Sequence, residues 1–244
     1  MSPLKILVLC RPSAKDVTES YIPALWIKEL RRQVPLTVTC VSMDRENSTP
    51  LLERYFDYGV DDVFLLSDKN FAGADTFATS YILYQAICNL GLEFDLIIAD
   101  ALSSYGETGH IPAQVAAFFN IPFATNVSDV QVAADHILCK QVLNSYEEQV
   151  SMSYPCVISL SSIVDADFLH RNSLTLFDLI ANHHKEVKIM SGEQLGISKA
   201  QSGLPCSYTT VASAIKMSGK NEHIIIDELS VAILELSKII KGVN

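Results

Sequence analysis

The sequence contains no apolar stretch long enough to cross a membrane. Apolar residues make up 49% of its 244 positions, but polar residues interrupt every run well before the roughly 20 residues that a spanning helix needs. The apolar run at 6–10 ends at Arg11, too soon for the core of a signal peptide. We therefore expect a cytoplasmic protein without a membrane span.

Basic residues are also scarce. The chain has 18 Lys and Arg against 28 Asp and Glu, a net charge of −10. Between Val41 and His110 there are twelve acidic residues, and the only basic ones are Arg45, Arg54 and Lys69. A protein that binds nucleic acid needs a basic face to displace counterions from phosphates. This composition excludes that class, so any anion bound here must be small and held by backbone N–H groups or a few isolated cations.

Motifs for metal binding and for nucleophilic catalysis are missing. The six cysteines form no C-x-x-C pair and no Cys/His group with zinc-ligand spacing, so we expect six reduced thiols and no metal. There is no P-loop, no G-x-G-x-x-G fingerprint and no G-x-S-x-G elbow. Nothing in the residue spacing predicts bond-making catalysis by the polypeptide itself.

The first half of the chain alternates short apolar strands with helices. This pattern predicts an α/β fold with a mostly parallel sheet and helices on both faces. The clearest helix spans 74–90, where apolar residues recur at helical spacing, Asp75 is placed to cap the start and Gly91 follows the end. We expect strands at 5–10, 36–43, 62–67, 95–100 and 122–127, and further helices at 21–32, 51–58 and 109–119.

The pattern changes after residue 127. Short strands at 130–133, 137–144, 149–154 and 157–160 follow one another without helices, which suggests an antiparallel addition to the sheet. Residues 161–221 show little periodicity apart from 174–181, and a helix at 229–240 with Asp227 as its cap closes the chain. We expect a nucleotide-binding α/β domain at 1–160, and an extended partner-wrapping arm with the C-terminal helix at 161–244.

Parallel α/β sheets bind ligands beyond the carboxyl ends of their strands. The informative strand ends here are Leu9 with Cys10, Ser42 with Met43, and the loop that follows Asp100. That loop has two glycines three residues apart where a helix begins, an arrangement suited to a phosphate. A plain glycine-rich helix start capped by Thr108 explains the same pattern. The candidate loop residues are Gly106, Glu107, Thr108, Gly109, His110 and Ile111.

Two other nucleotide-binding classes are weaker fits to the residues. The stretch 71–76 resembles the pyrophosphate loop of ATP pyrophosphatases, but it follows the third strand rather than the first, which favours a turn with an Asp cap. A homo-oligomeric module of the universal stress protein kind requires Gly109 to be followed, after nine intervening residues, by G-[ST], and Phe119 stands there instead. That module, without a redox role, is the alternative hypothesis.

Several segments together resemble the beta subunit of electron transfer flavoproteins. Residues 72–79 (AGADTFAT) are close to A-G-A-D-T-L-A-T, residues 94–98 resemble F-D-L-I-L, and residues 106–111 (GETGHI) resemble G-D-T-G-Q-V. Residues 58–63 and 120–122 resemble the family's M-G-A-D and G-I-P stretches. Their order and spacing agree along nearly the whole chain, which makes the set more specific than any one motif.

The resemblance implies a function and a ligand. Such a subunit pairs with an electron transfer flavoprotein alpha subunit that carries FAD, and it binds AMP, or a second FAD in electron-bifurcating members. The family's nucleotide contacts fall near Leu9, Ser42, Met43 and the 106–111 loop, and 207–211 resembles a stretch of the bifurcating kind. The complex shuttles electrons with an acyl-CoA dehydrogenase-type or other redox partner. The family's dehydrogenase-anchoring leucine lies near Leu174 and Leu176.

Overall fold

The computed structural model describes residues 2–13, 21–100, 108–143, 146–181 and 185–213, together with Ile233 and Ser237. Residues 233 and 237 are both helical, whereas the rest of the closing helix expected at 229–240 lies outside the described residues.

Nine strands are found in the described residues, and all of them belong to one sheet. Their order across the sheet is β7-β6-β5-β8-β4-β1-β2-β3-β9. The strands are β1 (Leu4–Leu9), β2 (Leu36–Met43), β3 (Asp62–Leu66), β4 (Leu96–Asp100), β5 (Phe123–Val132), β6 (His136–Leu143), β7 (Tyr146–Ser153), β8 (Cys156–Leu160) and β9 (Lys188–Met190). The helices are α1 (Ile22–Arg31), α2 (Thr49–Asp57), α3 (Thr76–Asn89), α4 (His110–Phe119), α5 (Ala166–Arg171), α6 (Leu176–Ala181) and α7 (Gly203–Cys206).

The central strands are apolar on both faces because helices cover both sides of the sheet. In β1, Ile6 and Val8 join the core beneath α1 and α2, whereas Leu7 and Leu9 join the core beneath α3 and α4. Successive residues of a strand point to opposite faces, so one apolar run supplies both cores. The α/β class and the mostly parallel sheet are confirmed.

Helix α3 begins at Thr76, two residues after the predicted start at 74, and Asp75 is its cap as predicted. The Asp75 side chain accepts a hydrogen bond from the backbone N–H of Ala78 at 2.9 Å, which caps the helix. The helix ends at Asn89, and Gly91 follows with φ +62°, a conformation that glycine adopts without strain.

The antiparallel part of the sheet differs in detail from the prediction. The segment expected as two strands is one continuous strand, β5, with an irregular register between Val127 and Asp129. Strands β6 and β7 extend it as antiparallel neighbours. By contrast, β8 lies parallel between β4 and β5, so it is not part of the antiparallel addition. All five residues of β8 are buried, as expected for a strand covered on both faces.

Part of the segment after residue 160 is integrated into the sheet. Strand β9 pairs in parallel with β3 and forms the edge beyond it. Farther along, only glycine fits at position 203. Its φ is +56°, and a Cβ at this position would lie 2.1 Å from the carbonyl oxygen of Asn70. Residues 1–210 form one compact unit and residues 211–244 a second. That residues 161–244 wrap a partner stays a prediction.

Candidate functional site

A crevice opens at the carboxyl ends of β1, β2 and β4. The chain runs outward from β1 to β2 and β3 and then returns to place β4 on the other side of β1, so the strand order reverses at this point. Ligands of open α/β sheets bind at such a switch point. The crevice has a volume of about 280 Å³. It is lined by Leu9, Cys10, Arg11, Val41, Met43, Ala74, Asp75, Thr76, Thr79, Leu83, Ala99, Asp100, Thr108, Ile111 and Pro112.

Half of the site residues expected from the sequence meet in this crevice. The structure brings together Leu9, Cys10, Met43, Thr108 and Ile111, which come from three separate segments of the chain. Gly106 and Glu107 lie outside the described residues.

Ser42 is placed differently from the expectation. Its neighbours Val41 and Met43 both line the crevice, whereas Ser42 is fully buried and is absent from the lining. Within the described residues its hydroxyl has no hydrogen-bond partner. Side chains alternate along a strand, so a residue between two crevice-lining positions belongs to the other side of the sheet.

The start of α4 faces the crevice through its first turn. Gly109 precedes the helix with φ +64°, and no side chain caps the helix from this position. Thr108 lines the crevice, and the N-cap residue of the helix is Gly109 rather than Thr108. His110, the first helical residue, is exposed and absent from the lining. The first N–H groups of a helix have no intrahelical acceptor and carry the positive end of the helix dipole.

The sequence interpretation missed the wall that α3 contributes. Asp75, Thr76 and Thr79, at and beside the start of α3, line the crevice together with residues of the α4 start. The capping role of Asp75 was visible in the sequence, but the side of the sheet on which this helix start lies was not. The A-G-A-D-T resemblance was the signal that marked this segment as more than an ordinary turn.

Asp75 also fixes a later segment of the chain beside the crevice. The backbone N–H and the hydroxyl of Thr209 each donate to its carboxylate at 2.9 Å, and its own N–H donates to Ser207 Oγ at 2.9 Å. Burial raises the pKa of Asp75, but the hydrogen bonds from Ala78 and Thr209 outweigh it and leave the pKa below the ordinary value. The carboxylate is therefore ionised at neutral pH and holds the 207–209 segment against the start of α3.

All six cysteines are free thiols, as expected. The sulfur atoms of Cys10 and Cys40 lie 3.3 Å apart beneath the crevice, and burial raises the pKa of the Cys40 thiol. Burial and the charge of Asp75 raise the pKa of the Cys206 thiol. Raised pKa values keep thiols protonated and weakly nucleophilic, so neither Cys40 nor Cys206 suits nucleophilic chemistry.

Neither a metal centre nor a membrane span is found in the described part of the chain. No group of three or more His, Cys, Asp or Glu side chains there is arranged to hold a metal ion. No helix in the same residues combines the length and the apolar character that a membrane span requires.

Comparison with known proteins identifies the family. Residues 28–169 match the model of the electron transfer flavoprotein domain. The chain is 28% identical over 206 residues to the electron transfer flavoprotein subunit beta of Thermoanaerobacterium thermosaccharolyticum, covering 84% of this chain and 75% of that protein. It is 27% identical to the corresponding subunit of Megasphaera elsdenii, covering 84% and 80%. It is also 25% identical to the caffeyl-CoA reductase-Etf complex subunit CarD of Acetobacterium woodii, covering 71% and 64%.

The matches agree with one another and with the fold. They extend over most of the chain and include several beta subunits, and they do not favour the universal stress alternative. The family match covers β2 to β8, which contain the ends of β2 and β4 and the start of α4. The chain therefore belongs to the electron transfer flavoprotein family, as a divergent member of the beta-subunit type with an electron-transfer role.

Proposed function

We propose that the crevice binds an adenine nucleotide, either AMP or the AMP portion of FAD. The observation that carries this proposal is the meeting of the α4 start with the ends of β1 and β4 at the switch point of the sheet. The phosphate lies against the first turn of α4 and the Thr108 hydroxyl. Helix starts bind anions in this way, through their unpaired N–H groups and the positive end of the helix dipole.

The remaining lining suits the base and the sugar. Leu9, Val41, Met43 and Ala99 supply apolar contacts, and Asp75, Thr76 and Thr79 supply polar groups. Pockets for small ligands combine a mostly apolar lining with a few placed polar groups in this way. The donor set therefore fits an adenine nucleotide. When the nucleotide is FAD, its flavin ring supplies the electron transfer, and the protein positions it.

We propose further that the chain acts in a complex with an alpha-type subunit that carries FAD. The named relatives include subunits of electron transfer flavoproteins and of a caffeyl-CoA reductase complex. The complex exchanges electrons with a dehydrogenase of the acyl-CoA type or another redox enzyme.

Helix α6 is the proposed contact for that redox enzyme. Leu176, Phe177 and Ile180 are 71%, 85% and 65% exposed. The helix is fixed from its polar side, because Lys28 Nζ lies 2.7 Å from Asp178 Oδ2. Burial raises the pKa of Asp178, but hydrogen bonds from Lys28 and Thr175 outweigh it and lower the pKa. The polar anchor leaves three large apolar side chains presented outward, an arrangement typical of interaction sites. Leu176, one of the two candidate anchoring leucines, belongs to this set.

The nucleotide site is tested by filling the crevice. Ala74 lines it and precedes α3, so Ala74→Leu places three extra carbon atoms in the crevice. The matched control is Ala117→Leu, the same substitution at an exposed position of α4. Each variant is purified, any bound ligand is released by denaturation, and the ligand is identified and quantified by mass spectrometry.

We expect AMP or FAD at near one equivalent in the wild type and the Ala117→Leu variant, and about tenfold less in Ala74→Leu, since a steric clash costs at least about 1.4 kcal/mol. Equal nucleotide content in both variants would refute the crevice as the site. A wild-type chain without any nucleotide, with and without a co-expressed alpha subunit, would refute the nucleotide proposal itself.

A further inference from the structure

Helices α3 and α4 form a surface that lacks charged residues. Neither helix contains an Asp, Glu, Lys or Arg residue, although these residue types make up 19% of the chain. The absence continues through residue 92 after α3 and through residue 128 after α4. The helices on the other side of the sheet differ, since α1 and α2 each contain three charged residues. Charges on the outer side are typical of a solvated helix, so α1 and α2 have the composition expected for contact with water and α3 and α4 do not.

Aromatic residues occupy the outer side of these two helices. Phe77, Tyr81 and Tyr84 recur at helical spacing along α3, and all three are half-buried. The ring of Phe118 in α4 lies against all three, with centroids 5.4–5.8 Å apart. The ring of Phe119 lies 4.8 Å from that of Tyr84. We call these five residues the aromatic face.

The aromatic face is separate from the hydrophobic cores of the protein. Among its residues, only Phe119 packs against a core. The inner side of α3 fills that core instead, through Ile82 and Ala86. The centres of protein interfaces are depleted of charge and enriched in Tyr and Phe, and an apolar patch on a surface marks such a site. The composition of the aromatic face therefore points to a surface that another molecule covers.

The charge of the chain limits what can cover this face. A membrane surface is disfavoured, because helices that lie on membranes present Lys and Arg to the lipid headgroups and α3 and α4 have none. A second copy of the chain has the same net charge of −10, so two copies associate best where no carboxylates oppose one another. The aromatic face meets that condition. The other side of the sheet does not, because α1 and α2 contain Glu29, Glu53 and Asp57.

The size of the aromatic face also suits a second copy. Helix α3 has 14 residues and is about 21 Å long, and two packed helices are together about 20 Å wide, so the face covers about 400 Å² in projection. Its accessible surface is larger because side chains protrude. Tyr208 extends it, with a ring 4.6 Å from that of Phe77 and 80% exposure. Specific interfaces begin at about 600 Å² of accessible surface for each partner, so the face has the size of a weak dimer contact.

We propose that the aromatic face pairs with the same face of a second copy of this chain, in a two-fold symmetric contact. In such a contact each pair of residues occurs twice, so a few aromatic side chains bury a large apolar area. The contact is independent of the proposed nucleotide function, because none of the five aromatic residues lines the crevice. It also leaves α6 accessible, since α6 is anchored to Lys28 of α1 on the other side of the sheet.

The test is sedimentation equilibrium of the full-length chain at concentrations from about 1 to about 100 μM. We expect a dimer with twice the chain mass of 26.9 kDa and a Kd in the micromolar range. Added salt is expected to tighten the dimer about threefold, because it screens the repulsion between two copies of net charge −10 and does not weaken an apolar contact. A dimer that salt dissociates would contradict a contact through this face.

The variant Gln85→Glu/Cys88→Glu identifies the face that makes the contact. Cys88 is exposed and continues the aromatic stripe of α3 by one helical turn, and Gln85 lies beside it. A symmetric contact brings the new carboxylates of both copies together, so we expect the Kd to rise at least about tenfold. The matched control is Asn47→Glu/Ala166→Glu, which adds the same charge at exposed positions before α2 and at the start of α5. It keeps the Kd within about twofold, and denaturant unfolding checks that both variants are folded.

The outcomes separate a second copy from the other occupant of such a face, the alpha-type subunit. A wild-type chain that is monomeric at every concentration overturns the proposal, and so does an equal Kd in the two double variants. The measurement is repeated on the chain co-expressed with an alpha-type subunit. A wild-type complex with one copy of each subunit, from which only Gln85→Glu/Cys88→Glu loses the alpha-type subunit, assigns the face to that subunit and overturns the proposal. Nucleotide content, measured on the same samples, tests the crevice separately.

Discussion

Two helices of this protein are rich in apolar residues and use them in opposite ways. Helix α3 turns Ile82 and Ile87 into the core, where they are 0% and 1% exposed. Helix α6 turns Phe177 and Ile180 outward, with 85% and 65% exposure. Both helices are held by an aspartate, Asp75 at the start of α3 and Asp178 in α6. Apolar composition therefore does not distinguish a core helix from a helix whose apolar side chains are exposed. The two helices differ in the direction that their apolar side chains face. In α3 these side chains face the core, whereas in α6, which is anchored through Asp178, they face away from it.

The largest expected effect comes from truncating the buried side of α3. We expect Ile82→Ala to lower the free energy of unfolding by about 3 kcal/mol, since it removes buried methyl groups and leaves a cavity. Denaturant unfolding measures the change. The matched substitution Ile180→Ala in α6 is expected to change stability by less than about 0.5 kcal/mol. Similar losses at the two positions would contradict the contrast between the helices.

A smaller effect is expected from removing the cap of α3. Asp75→Ala is expected to cost about 1–2 kcal/mol, because it leaves the Ala78 N–H without its acceptor and releases Thr209. Asp75→Asn is the control, since asparagine caps helices nearly as well as aspartate. A loss as large in Asp75→Asn as in Asp75→Ala would show that the charge matters and the cap does not.

The cap also has a pH dependence with a defined sign. The pKa of Asp75 is lowered in the folded protein, so its stabilisation is fully present above the ordinary Asp pKa of about 3.9. It is lost as the pH falls through the lowered value. We expect the stability difference between wild type and Asp75→Ala to be constant from about pH 5 to 8 and to shrink below about pH 4. A difference that grows on acidification would contradict this assignment.

The smallest effect on stability, and the largest on electron transfer, is expected in α6. Phe177→Ser is expected to change the free energy of unfolding by less than about 0.5 kcal/mol because the side chain is exposed. It is expected to slow electron exchange with the redox enzyme about tenfold, as loss of a large apolar contact at an interface does. Phe177→Leu should retain most of the rate. Unchanged electron transfer in Phe177→Ser would remove α6 from the proposed interface.

The sequence predicted the parallel part of the sheet because each central strand is a continuous apolar run. It did not reveal the place of β8, since the buried run 156–160 reads the same whether its neighbours are parallel or antiparallel. Nor did it reveal β9, whose three residues are too few for any periodicity. Patterns along the chain report burial, whereas the order of strands depends on contacts between distant residues.

The same contrast between patterns along the chain and contacts of distant residues applies to the candidate site. Leu9 and Met43 were found from strand ends, and both line the crevice. Ser42 does not line the crevice beside Met43, because side chains alternate along β2. The α3 wall at Asp75 and Thr79 was missed because only the folded topology brings it to the crevice beside the start of α4.

The edge strand β9 has a consequence for aggregation. An exposed sheet edge is a template on which strands of other molecules pair, and proteins suppress this with short, charged edge strands. Here the edge has only three residues, and Lys188 Nζ lies 2.5 Å from Asp62 Oδ1 of the neighbouring strand. An incoming strand would find little backbone to pair with and a charged side chain in its path. This border of the sheet is thus protected against the strand-by-strand growth that converts folded chains into fibrils.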